Sequence, residues 1–415
     1  MAINFAKVSW ISMETLRLFK NKLAIAANMR TDYEKDFRKE YAVGDTIQVK
    51  YPWRPLVTDG IEYNPQGMDR ITTTVTVDTV KGIHFDFGTI DKLLNMERGE
   101  EKVRKEYLSP AATQLAQAWD SLAALYAYQH SGNIVGVLGT NPTTFDATSA
   151  AARQRMVELA CPADGDHNIY VPPAVMRAIK GGSDANLSRF GPVDEIKTLY
   201  KKGVVGTADG FEWYESMSLK NHTAGTWGGA VSLASAVANG ATSLSVTCTN
   251  GDTFKKGDVI GIAGVYAVNP STRDAAQKTT TMTVSVAADV TASGTSATVT
   301  INEPLYYTGP YQNIDSQPAA SATLTLFPGT SSPNGKSGKQ ALALHGDAFA
   351  FVSLPLPMPE KEELVSQTTD PDTGISIAFI RSFDPIQRRW INRFDTIGGF
   401  GMLYPQACSV RVLCQ

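Results

Sequence analysis

The feature that most restricts the fold of this chain is a change of texture in its middle. From about Thr226 to Thr330 the sequence is dominated by Thr, Ser, Ala, Val and Gly. It carries the strand-like runs SLSVTC, DVIGIAGVYAV, TMTVSVAA, ATVTINEPLYY and ATLTLF, separated by turn residues. That pattern predicts a small all-β module. On either side helix-period and strand-period segments are mixed, so the module reads as an insertion, closed by the Gly-, Ser- and Pro-containing linker GTSSPNGKSGKQ. At 415 residues the chain also exceeds the roughly 250 to 300 residues that one hydrophobic core usually serves. Two or more packed units are expected.

Before the insertion, Val8 to Ala27 places Trp10, Ile11, Leu16, Leu18, Phe19, Leu23 and Ile25 at spacings that fit one or two short amphipathic helices, an N-terminal arm. Val43, Ile47, Val49 and Tyr51 then alternate with polar residues as a strand. After the Pro- and Gly-rich stretch from Pro52 to Arg70, the run ITTTVTVDTVKGIHFDF reads as a second strand. Two strands joined by a long tip make a hairpin. ERGEEKVRKEYL predicts a charged helix, and SPAATQLAQAWDSLAALYAYQH an Ala-rich one, with Ser109 as N-cap, Pro110 at the first helical position and Gly132 as a stop. Leu115, Trp119, Leu122, Leu125 and Tyr126 share its buried face. Residues 133–225 read as an α+β segment in which NIYVPPAVMRAI is a buried strand entering a helix. TGISIAFIRSFD and RRWINRFDTIGGFGMLYPQACSVRVL predict long closing strands.

Composition narrows the function. The formal net charge of -3, from 38 Lys and Arg against 41 Asp and Glu, lacks the basic excess of a dedicated nucleic-acid binder. The four cysteines, Cys161, Cys248, Cys408 and Cys414, and the five histidines are dispersed, so neither a disulfide framework nor a zinc site is expected. No secretory signal or membrane-spanning run is read, which points to a soluble cytoplasmic product. No GxxxxGK[ST], GxGxxG after a strand, GxSxG or HExxH occurs, so no enzyme class, catalytic residue or cofactor is assigned. The ADGDH cluster around Asp164, Asp166 and His167 is read as a turn, Cys161 as a small buried hydrophobe, and PEKEEL as a solvated acidic run.

The order of parts, together with two local stretches, resembles the coat proteins of short-tailed bacteriophages that carry an inserted domain. FKKGDVIGIAGVYAVNPSTRDAAQ, Phe254 to Gln277, is similar to the inserted-domain signature, in which a basic-Gly-Asp turn leads into a strand ending in Ala-Gly-Val. FDTIGGFGMLYPQACSVRVL, Phe394 to Leu413, is similar to the closing strand of tailed-phage capsid proteins. The resemblance implies an α+β fold of the tailed-phage capsid type, shared with encapsulins and the herpesvirus shell floor. Its parts would be an arm (1–40), an extended hairpin loop (41–92), the spine helix of a peripheral domain (93–132) and an axial domain (133–225 and 339–365). An inserted all-β domain (226–338) and peripheral closing strands (366–415) would complete it.

The resemblance further implies a major capsid protein of the virion. It would assemble with itself as hexamers and pentamers, with a scaffolding protein and a portal as partners and only weak, non-specific contact with packaged DNA. Trp53, Arg54, Asp59, Arg70, Arg273 and Asp274 are the candidate contacts between subunits. An encapsulin-like compartment shell, or a β-rich secreted adhesin or tail protein, remain the alternatives.

Overall fold

The structure, a computed structural model, describes residues 2–33, 46–51, 54–55, 70–86, 104–136, 141–144, 146–180, 206–275, 281–327, 335, 337–356, 364–371, 373–384 and 389–414. They fall into two compact units. The first comprises Met1–Val49, Thr72–Ala123 and Phe349–Leu403, and the second Lys50–Ile71, Ala124–Ala348 and Tyr404–Gln415.

The first unit is built on a six-stranded antiparallel sheet in the order Thr46–Lys50, Thr72–Asp86, Arg389–Met402, Ser376–Asp384, Leu364–Thr369, with Phe349–Leu354 also paired to Arg389–Met402. The strand Arg389–Met402 can take neighbours so closely because of its IGGFG sequence. A Cβ on Gly399 would stand 1.9 Å from the Thr76 carbonyl oxygen, and one on Gly401 2.3 Å from Val75 Cγ2. Both hairpin strands belong to this sheet, while the tip between residues 56 and 69 lies outside the described residues.

The arm forms one helix, Ala2–Lys20, rather than two short ones. Its Ser12 hydroxyl meets those of Ser366 and Thr368 at 2.8 Å each, and Lys20 pairs with Asp370 at 2.7 Å. The long helix spans Ser109–His130, the span its apolar spacing predicts. Its start differs from expectation: Ser109 is no N-cap, because the helix continues from a π-helical turn, Arg104–Leu108. Pro110 has no N–H to donate to the Glu106 carbonyl, and the wider turn upstream accommodates the missing bond. The charged stretch before it, through residue 103, lies outside the described residues.

Trp119 anchors the helix in this unit. It is 1% exposed, its Nε1 donates to Thr396 Oγ1 at 2.7 Å, and its ring packs 5.5 Å from Phe351 and 6.1 Å from Phe400, centroid to centroid. One turn position on, buried Asp120 accepts hydrogen bonds from the backbone N–H groups of Ala24, Ile25 and Ala26 at 2.9 to 3.0 Å. It thereby satisfies the opening donors of the short 3-10 turn Ala26–Asn28. Burial pushes the Asp120 carboxyl up, and the three donors pull it back.

The second unit holds two principal sheets. One, of seven strands, runs in the order Ile134–Val135, Ser409–Leu413, Ser337–His345, His167–Val171, Phe211–Glu215, Thr207–Ala208, with Asn221–Thr223 paired to the start of Ser337–His345. That last strand therefore begins inside the stretch read as a linker, because Ser337, Gly338 and Lys339 have partners in Asn221–Thr223. His167–Val171 is buried throughout and passes through Pro172 into the helix Pro173–Lys180, as NIYVPPAVMRAI predicts.

The other sheet, of six antiparallel strands, is drawn wholly from residues 231–327, in the order Thr281–Ser285, Val259–Tyr266, Thr323–Phe327, Val231–Leu233, Ala241–Thr247, Ser296–Leu305. Its inward positions, among them Leu244, Val246, Ile260, Ile262, Val299 and Leu326, form one apolar cluster with Phe254. The alternation of Thr and Ser with aliphatic residues along Ala241–Thr247 and Thr323–Phe327 is the period-2 signal that sets one face inward.

Candidate assembly surface and buried side-chain clusters

The KKGD turn that opens Val259–Tyr266 is held by its own aspartate. Asp258, fully buried, accepts from Lys255 N at 2.7 Å and Gly225 N at 3.1 Å, and contacts His222 Nε2 at 2.7 Å. Gly257 adopts φ +88°, a left-handed conformation that favours glycine, and a Cβ there would come within 3.0 Å of the Tyr128 ring. Its carbonyl accepts a 2.8 Å hydrogen bond from Nη1 of Arg411, a residue of the closing strand Ser409–Leu413 that is 1% exposed. Burial lowers the Arg411 pKa to about 10, with the Asp258 carboxylate acting against the fall, so the guanidinium stays charged at neutral pH. The basic-Gly-Asp turn and the final V-R-V, far apart in sequence, thus meet in one buried network.

A second cluster sits where the strand His167–Val171 begins and the strand Ser337–His345 ends. Helix Ala151–Glu158 stops through Ala160, which adopts φ +61°, and the Cys161 N–H closes the turn on the Met156 carbonyl at 3.0 Å. This places Cys161 Sγ 3.5 Å from Cys408 Sγ and 3.8 Å from His167 Nε2. His345 is the register partner of His167, its ring centroid 5.0 Å away, and its Nε2 stands 2.7 Å from Asp164 Oδ1.

The paired sulfurs share one hydrogen bond. Contact with Cys408, and then with His167, brings the Cys161 thiol down to about 6 against the opposing effect of burial, and Cys408 is driven up. The His345 imidazole holds the Asp164 carboxyl below its ordinary value. The ADGDH stretch is a turn, as read, with the Asp166 N–H on Asp164 Oδ1. The dispersed spacing of cysteines and histidines in the sequence gives no sign of this meeting: Cys161 and Cys408, both free thiols, touch across 247 positions of sequence.

Beside this cluster opens a cavity of about 690 Å³, lined by Arg54, Pro55, Ala160, Pro162, Pro270, Arg273, Asp347, Tyr404 and Cys408 among others. Two of the candidate contact residues therefore share one wall system. Arg273, at φ +59°, directs Nη2 to the Pro55 carbonyl at 3.5 Å. Asp274 and Arg70 are exposed, and among the described residues Arg54, Arg70, Arg273 and Asp274 form no ion pair. Trp53 and Asp59 lie outside the described residues. No helix among the described residues is long and apolar enough to cross a membrane.

A protein-family model described as P22 coat protein, gene protein 5, matches residues 1–413. The chain belongs to this family. It is a phage major capsid protein, a mixed α+β subunit that assembles with itself into the shell of the virion head. No curated protein matches it by sequence. Among solved structures it is similar to a Mycobacterium phage Che8 chain at 13% identity and TM-score 0.44, covering 94% of this chain and 90% of that one. It is also similar to the capsid of Ralstonia phage GP4 at 8% identity and TM-score 0.42, covering 94% and 88%. The capsid of Cyanophage P-SCSP1u follows at 12% and 0.40, covering 90% and 84%. Such distant likenesses transfer no residue roles, so the coat-family match and the geometry above carry the rest.

Proposed function

We propose that this coat protein builds its shell from hexamers and pentamers in the host cytoplasm, helped by a scaffolding protein and closed around a portal, and that it catalyses no reaction. The hairpin within 41–92 lies over an adjacent subunit. The long helix within 93–132 is the spine of a peripheral domain completed by 366–415, the segments 133–225 and 339–365 form an axial domain, and the β insertion at 226–338 steadies the subunit. The observation that carries this reading is the family match along residues 1–413, joined to Arg54, Arg70, Arg273 and Asp274, which form no ion pair among the described residues. Trp53, Arg54, Asp59, Arg70, Arg273 and Asp274 make the contacts between copies.

Many weak contacts summed over a closed lattice give a stable shell while each single contact, at about 0.2 to 1 kcal/mol for an exposed pair, stays correctable. The near-neutral charge of -3 keeps contact with packaged DNA weak. The test is charge reversal. Arg54→Glu with Arg70→Glu should leave the circular dichroism and unfolding midpoint of the free subunit unchanged while lowering the yield of sedimenting shells severalfold. Undiminished shell yield would remove these residues from the interface.

A further inference from the structure

Cys161, Cys408, His167 and His345 bring two thiols and two imidazoles together at the ends of packed elements. Cys161 follows the helix Ala151–Glu158, His167 and His345 face each other across paired strands, and Cys408 closes the short helix Pro405–Cys408. The donor atoms of Cys161, His345 and Cys408 all lie within 4.8 Å of one another. A tetrahedral zinc ion with bonds of about 2.3 Å to sulfur and about 2.05 Å to nitrogen sets ligand edges of about 3.8 Å between two sulfurs and about 3.6 Å between sulfur and nitrogen. The corresponding distances here are 3.5 Å for Cys161 to Cys408 and 3.8 Å for Cys161 to His167.

We propose that Cys161, Cys408 and His345 bind one zinc-class divalent ion per subunit, with His167, 3.8 Å from the Cys161 sulfur, beside them as the nearest further donor. Two features favour a metal over a hydrophobic cluster with incidental sulfur. His167 is 3% exposed, and its Nε2, the nitrogen turned toward the thiols, meets the Cys161 sulfur at 3.8 Å with no oxygen partner among the described residues. Asp164 stands at 2.7 Å from His345 Nε2, the carboxylate–imidazole pairing that fixes a ligand histidine. It holds the proton on Nε2 and leaves the lone pair on Nδ1, which accepts the Asp347 N–H at 3.1 Å and would exchange that contact for the metal. The thiols select a soft or borderline ion over calcium or magnesium. The ion would tie the loop after residue 160 to the segment leading into the closing strand, joining positions 247 apart.

The test uses the full-length subunit purified under reducing conditions. Zinc is measured by elemental analysis, and the zinc-depleted protein is titrated with cobalt(II) alone while the visible and near-ultraviolet absorption is recorded. The expected result is one zinc per chain and a tetrahedral cobalt–thiolate spectrum reversed by added zinc. Cys161→Ser and Cys408→Ser should abolish that spectrum, Cys248→Ser should leave it intact, and Asp164→Asn should weaken cobalt binding by about 10- to 100-fold. If either cysteine variant fails to fold, the wild-type zinc content decides alone. Zinc far below one per chain, a cobalt spectrum indifferent to both substitutions, or a Cys161–Cys408 disulfide in the native protein would each overturn the site.

Discussion

At Asp258 one buried carboxylate takes two backbone N–H groups and the His222 ring, while the adjacent Gly257 carbonyl takes Arg411. Removing the carboxylate strands the Lys255 and Gly225 N–H groups and the His222 ring, and an unmet buried donor costs about 1 to 3 kcal/mol. Asp258→Ala is expected to destabilise the free subunit by at least about 2 kcal/mol, read as a lower urea midpoint. Glu303 is a residue of the opposite kind. Burial raises its pKa from 4.5 to about 8, and its Oε1 has no hydrogen-bond partner. A folded-state pKa above the unfolded one means that the folded chain binds the extra proton between pH 4.5 and 8, so this group's contribution to stability falls as pH rises through that window. Glu303→Gln is expected to flatten that slope and to raise the unfolding midpoint at pH 8. A slope unchanged by the substitution would show that Glu303 titrates normally.

Among the elements, the long helix Ser109–His130 was legible because its apolar residues recur at three- and four-residue intervals, a local signal that burial of Trp119 then reinforces. Its true beginning was not legible, since the preceding π-helical turn depends on how Arg104–Leu108 packs and not on any capping residue. The β strands of the insertion were likewise readable from alternation. The Cys161–His345 cluster was not, because no local rule announces that a turn, a strand end and a C-terminal helix will meet. The close packing of Arg389–Met402 was announced only by its glycines. Trp119→Ala is expected to cost about 3 to 5 kcal/mol through the cavity it leaves. Gly399→Ala, whose Cβ would collide with the Thr76 carbonyl, should lower the soluble yield of the subunit more than Gly228→Ala, whose Cβ meets only ordinary contacts at 3.4 Å and beyond. Equal yields would mean that the strand shifts without penalty.

For the whole molecule, the order of arm, hairpin, long helix, interrupted α+β segment and closing strands already pointed to a coat protein, and the match along residues 1–413 placed the chain in that family. How copies meet was not legible, because the residues of a contact between subunits carry no periodicity or motif within one chain. This chain is expected to form closed shells. The most direct measurement is negative-stain electron microscopy with sedimentation of the protein expressed alone and with a scaffolding protein. Closed icosahedral particles, or sheets and spirals that become closed particles when the scaffold is added, are the predicted result. Stable monomers or small closed oligomers under both conditions would contradict it.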